Sequence, residues 1–245
     1  MSAGALRALL RADASAVLRD PLLGWVLVLP IGMALLLRVL VPAAGDALLL
    51  HAGVDLAPYH GLIMGGYLMT APGIVGLIVG FLLLDERNAG TLSALRVTPL
   101  SMDRYLAYRV ALPLAGGTLA TLIGYPLAGI APLPLVDLLP IAAIAAMAAP
   151  ILALVLGTAA PNKVAGFAVM KVVNAVNLLP VAAFFLPLPL QLAAGVLPTY
   201  WPMRALWSAD AGSGYLPYLA TGLAVNALAL ALAARLFSRR LVRRA

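Results

Sequence analysis

The sequence predicts an all-α membrane protein with six transmembrane helices, an N-terminal amphipathic helix and a short helix in the loop after the second span. Three observations predict it. The 245 residues are 64% hydrophobic and 10% charged, against about 25% charged in soluble domains, so lipid must be the main solvent. Six apolar runs each have about the 20 residues that cross a bilayer as a helix. Of the 16 basic residues, all but Arg38 and Arg204 fall on one side once the N-terminus is placed inside, as the positive-inside rule requires.

Residues 1–20 form the first element. Leu6, Leu9, Leu10, Val17 and Leu18 recur at helical spacing beside Arg7 and Arg11, the pattern of a helix lying in the headgroup layer. Asp20-Pro21 ends it. Spans are then expected near 22–42, 61–84, 110–131, 138–158, 164–187 and 215–237. The first run is too long for a signal h-region. Prolines inside these runs, such as Pro30, Pro113 and Pro150, are tolerated where neighbouring helices satisfy the freed carbonyls. Gly61-x-x-x-Gly65 and Gly76-x-x-x-Gly80 allow close helix contact in the second span. The segment 188–214 is too broken for a further span and is expected to be interfacial or re-entrant. Its Trp201 and Trp207 also suit an interfacial belt. Residues 1–245 read as one membrane domain, with both termini in the cytoplasm.

The inside loop 85–109 is the most informative segment. Asp85, Glu86 and Arg87 carry the chain into water, Gly90 breaks the helix, and Thr91 caps a new one from Leu92 to about Val97. Leu92 and Leu95 share a face, Pro99 ends the short helix, and Ser101 is expected to cap the next. A stiff helix braced between two helical ends suits force transmission; a tidy connector lying on the membrane fits as well.

Polar groups inside the spans are costly and rare. Lys171, Asn174 and Asn177 occupy one arc of the fifth span at i, i+3, i+6, and Asn226 sits in the sixth. They either line a substrate pathway or are a snorkelling lysine and helix-bridging amides. Arg38 is expected to anchor in the outer headgroups. His51, Asp55 and His60 are spaced too loosely and are too few for a zinc site. There is no cysteine, hence no disulfide or thiolate chemistry. The pI near 10.1 reflects flanking arginines, not a nucleic-acid stripe, so neither a nucleic-acid partner nor a catalytic or metal site is expected.

The loop resembles the coupling-helix signature of type-two ABC exporter permeases: an acid, then Gly-Thr-Leu, a leucine three on, and Thr-Pro followed by a hydroxyl residue. Here these are Glu86, Gly90, Thr91, Leu92, Leu95, Thr98, Pro99 and Ser101. RDPLL at Arg19–Leu23, NKVAGFAVMK at Asn162–Lys171 and PTYWPMRALW at Pro198–Trp207 resemble a subgroup exporting fluoroquinolones and other drugs. The resemblance implies an elbow helix, six spans and a coupling helix at the bacterial cytoplasmic membrane. It also implies a separate P-loop ATPase docked around Glu86, Arg87 and Leu95, and a second permease, identical or paralogous, completing the pathway. This chain itself lacks the G-x-x-x-x-G-K-[ST] motif, and neither of its lysines, Lys163 and Lys171, follows a glycine. It is therefore expected to be a transport subunit and no enzyme, with ATP bound by the partner. An ion-coupled transporter would want intramembrane carboxylates, for which Asp137 at the rim is the nearest candidate. A non-transporting scaffold is the other alternative.

Overall fold

A computed structural model describes residues 3–90 and 101–243. The described residues contain helices and no strand. In chain order these are α1 (Ala3–Arg19), α2 (Pro21–Ala52), a 3-10 turn (Ala57–Tyr59), α3 (His60–Asn88), α4 (Met102–Ala128), α5 (Leu135–Ala145), α6 (Ala148–Ala159), α7 (Lys163–Ala183), α8 (Leu188–Gln191), a 3-10 turn (Leu192–Val196), α9 (Tyr200–Asp210) and α10 (Leu216–Arg243). Six helical segments are long and apolar enough to cross a membrane: α2, α3 with its leading turn, α4, α5 with α6, α7, and α10.

Local chemistry sets the boundaries. Asp20 is extended at the N-cap of α2, where its carboxylate accepts from Leu22 N at 3.0 Å and Leu23 N at 3.4 Å, and Pro21 follows at the first helical position. The aspartate that ends α1 therefore starts α2. The first apolar run, expected over 22–42, belongs to a helix of 32 residues that continues through Pro42 to a left-handed Gly53 at φ 64°. At 1.5 Å per residue it is about 48 Å long, more than the ~30 Å of hydrocarbon, so one end extends beyond the apolar layer. The fourth run, expected as one helix over 138–158, breaks at Ala146 and Met147. Pro150 explains the break, since its ring excludes the carbonyl of residue 146, four positions back.

The helix α3 is the axis of the bundle. Its most apolar stretch is 89% buried, against 22% for α2, 28% for α4 and 11% for α7. These outer helices present leucines and valines such as Leu36, Val39, Leu119 and Val172 outward, as lipid-facing helices must. Lipid tails are as apolar as leucine, so helix association rests on close packing instead of water release. Both small-residue motifs of α3 serve this within the chain. A Cβ on Gly76 would lie 2.5 Å from the Ala149 carbonyl oxygen of α6, and one on Gly80 would meet Leu156 at 2.7 Å. Gly61 and Gly65 face Asp210 and Trp207 of α9 in the same way. Gly124 of α4 makes room for the Tyr67 hydroxyl, which donates to Pro30 O at 3.1 Å and ties α2 to α3.

The C-terminal ends of α3, α6 and α10 meet α1 and the start of α4 at one end of the bundle, hereafter the base. The described chain stops at Gly90 and resumes at Ser101 beside this base.

Candidate functional site

The base is built around Arg109. This side chain lies seven residues into α4 and is fully buried. Its Nη1 donates to Asp13 Oδ2 at 2.8 Å and its Nη2 to Asp13 Oδ1 at 3.1 Å, a bidentate pair with α1. Nη2 also donates to Glu86 Oε1 on α3, and Nε donates to the Tyr105 hydroxyl at 3.1 Å. Tyr105 donates to Glu86 Oε2, and Tyr108 donates to Asp13 Oδ2 at 2.5 Å. Both rings flank the guanidinium carbon at 5.3 Å. Every guanidinium nitrogen is engaged, and each carboxylate takes a phenol as well as the arginine. Two acids and one arginine in a desolvated site are tolerable only because the remaining lone pairs are hydrogen-bonded.

A second cluster lies beside it. Lys163 Nζ, at the start of α7, bridges Asp20 Oδ2 at 2.6 Å and Asp85 Oδ2 at 2.9 Å. The Lys163 ammonium holds the Asp20 carboxyl below the usual carboxylate range, helped by the capped amides of Leu23 and Leu22. Arg87 donates to the carbonyls of Gly157 at 2.8 Å, Ala160 at 2.6 Å and Pro161 at 3.1 Å. Arg240 donates to Thr158 O. Two cations thus serve the unpaired carbonyls and negative dipole end of α6. Asp85, Glu86, Arg87 and Asn88 all bond within the base, Arg87 and Asn88 sharing the Pro161 carbonyl, and Gly90 follows them at φ 71°.

Of the residues singled out from sequence, Glu86, Arg87 and Gly90 meet at this base, while Thr91, Leu92, Leu95, Thr98 and Pro99 lie outside the described residues. Ser101 occupies the N-cap position of α4, but its side chain makes no capping bond. Lys171 and Asn174 line one groove between α2, α3 and α7. Asn177 is half-buried one turn further along α7. Asn226 stands apart: it is buried on α10 and donates at 2.9 Å to both Pro198 O and Gly222 O, holding down the segment before α9. Arg38 reaches the Leu127 carbonyl at 3.2 Å, so the expected headgroup anchor also closes the end of α4. Trp207 is 5% exposed against Phe184 and packs in the core, so a belt position does not describe it. Among the described residues no cluster of potential metal ligands forms.

Sequence reading missed Asp13, Tyr105 and Tyr108, and read Arg109 only as a basic flank. The signal was present in α1. Asp13 interrupts the stripe Leu6, Leu10, Val17 at helical spacing, and an acid centred on an apolar face must meet a buried donor.

Six helices of this length and polarity, packed around a buried axis and gathered at a charged base, define a multi-pass membrane protein. A family model described as "Fluoroquinolones export permease protein Rv2686c-like" matches residues 13–234. The chain belongs to this family of export permeases. Two relatives from Mycobacterium tuberculosis, the fluoroquinolones export permease proteins of strains CDC 1551 / Oshkosh and ATCC 25618 / H37Rv, are each 33% identical over 225 residues. The match covers 91% of this chain and 89% of either relative. No solved structure gives a significant match.

Proposed function

We propose that the chain is the membrane subunit of an ABC exporter of amphipathic drugs, driven by a separate P-loop ATPase and completed by a second permease. The observation that carries this reading is the rigid base. The residues that flank 91–100, Asp85–Asn88 on one side and the start of α4 on the other, are ion-paired or hydrogen-bonded to α1, α6 or α7. A displacement applied to that segment is therefore passed to several spans at once, as a subunit driven from outside the membrane needs. The relatives' names supply export and a fluoroquinolone class of cargo. Positive charge gathered at the base supports a cytoplasmic position for it and for both termini. A phosphatase reporter fused after Ala245 should be inactive, and activity from it would reverse this orientation.

Glu86, Arg87, Gly90, Thr91, Leu92, Leu95, Thr98 and Pro99 form the ATPase-coupling segment in this reading. Glu86 is also part of the ion cluster, so its variants confound coupling with folding. The cleaner test is Leu92→Ser with Leu95→Ser. Membrane insertion should be unchanged, while stimulation of the co-expressed ATPase by drug is lost. Gly90→Ala should give a milder form of the same defect, because a side chain at positive φ costs about 1–2 kcal/mol. Stimulation at the wild-type level in the double variant would remove the coupling assignment.

A further inference from the structure

Between α2, α3 and α7 the bundle leaves a groove of about 280 Å³, lined by residues that include Leu29, Ile74, Leu77, Phe167, Lys171 and Asn174. That is near the lower bound for drug-sized pockets, roughly 300 Å³. Its lining is apolar except at Lys171 and Asn174. Three cations at the base are occupied, Arg87 by carbonyls and Arg109 and Lys163 by carboxylates. Lys171 makes no hydrogen bond or ion pair among the described residues, and neither does the Asn174 side chain.

Lys171 lies eight residues into α7 from Lys163, a rise of about 12 Å. Lys171 is exposed at the groove, and with no counter-ion among the described residues its ammonium is open to an anion that enters there. A lipid phosphate could meet the ammonium only if the lysine stem snorkels back towards the base. A carboxylate on an otherwise apolar molecule would be brought there by the body of the molecule itself. Phe167, set edge-on to Phe81 at 4.9 Å, with Ile74 and Leu77 gives a wall for a flat ring system. Asn174, one turn beyond Lys171 and close to Gly73 of α3, can bond a carbonyl or hydroxyl group.

We propose that Lys171 is a specificity-determining residue that pairs with the carboxylate of a planar amphipathic substrate lying in this groove, with Asn174 bonding a neighbouring polar group. The inference rests on the export reading and adds to it the residue that reads the carboxylate of the cargo. The test is ATP-driven accumulation in inside-out vesicles carrying the full chain and its ATPase. The probes are a fluorescent quinolone carboxylic acid and its methyl ester, with uptake normalised to inserted protein. Lys171→Gln should lower transport of the acid by about tenfold or more and leave the ester unchanged, and Lys171→Arg should restore the acid. Lys171→Met provides a second neutral variant should glutamine impair insertion. Equal loss of both probes would assign Lys171 to folding or lipid contact and overturn the proposal, as would no loss of either. Wild-type vesicles with an active ATPase that move neither probe would refute the export reading itself, and that outcome is read from the wild type alone.

Discussion

Replacing Arg109 with alanine is expected to cost about 3–5 kcal/mol, the usual penalty for removing one partner of a buried ion cluster. The reason is what remains. Asp13 and Glu86 would stay at the base without a cation, and the phenols of Tyr105 and Tyr108 cannot replace it. For a chain of this length the midpoint of thermal unfolding in detergent should fall by roughly ten degrees. Arg109→Lys should recover little, because a point charge cannot reproduce the fork that holds Asp13 through two nitrogens while reaching Glu86. Asp13→Asn should cost less than Arg109→Ala, since the arginine keeps Glu86. A melting midpoint for Arg109→Ala within two degrees of wild type would show that the cluster is solvated and contributes little.

The second large effect is expected at Gly76. A valine there would drive its Cβ to within 2.5 Å of the Ala149 carbonyl oxygen and 2.9 Å of the Ala149 Cα. Both obstacles are backbone, so no rotamer change relieves them and α3 must separate from α6. Overpacking typically costs about 1–3 kcal/mol, and contact with backbone puts Gly76→Val at or above the top of that range. Gly66 is the internal control. It lies in the same helix, yet a Cβ there would meet nothing within 4 Å. Gly66→Ala should therefore be neutral or stabilise by up to about 1 kcal/mol through helix propensity. Thermal unfolding of both variants separates packing from a general intolerance of the helix to side chains. Equal behaviour of the two would sink the packing argument.

How much was legible in the sequence follows from the range of the interactions involved. Asp20-Pro21, Gly90 and the six apolar runs act over a few residues, and the structure has a helix boundary or a spanning helix at each. The α5–α6 break was also local. Pro150 was among the prolines noted, but whether a proline breaks a helix or is absorbed depends on neighbours: Pro72 and Pro113 lie inside continuous helices. The Arg109 cluster joins residues 23 and 96 positions apart: its pairs link Arg109 of α4 to Glu86 of α3 and to Asp13 of α1, and no spacing rule connects them. Lys171 and Asn174 could be placed on one arc of a helix, but which neighbours that arc faces was not written in α7.

Composition and short-range pattern thus determined, without tertiary information, that this chain is an all-helical membrane protein with six spans and a charged segment after the second. Lipid solvation demands long apolar helices, and apolar length is a local property. Only the tertiary structure decided that α3 is the axis, that its glycines pack against α6 and α9 of the same chain, and that Asp13, Glu86 and Arg109 share one buried site. Those outcomes depend on which helix faces meet. In lipid that choice is made by close fit and buried hydrogen bonds between distant residues, which hydropathy does not encode.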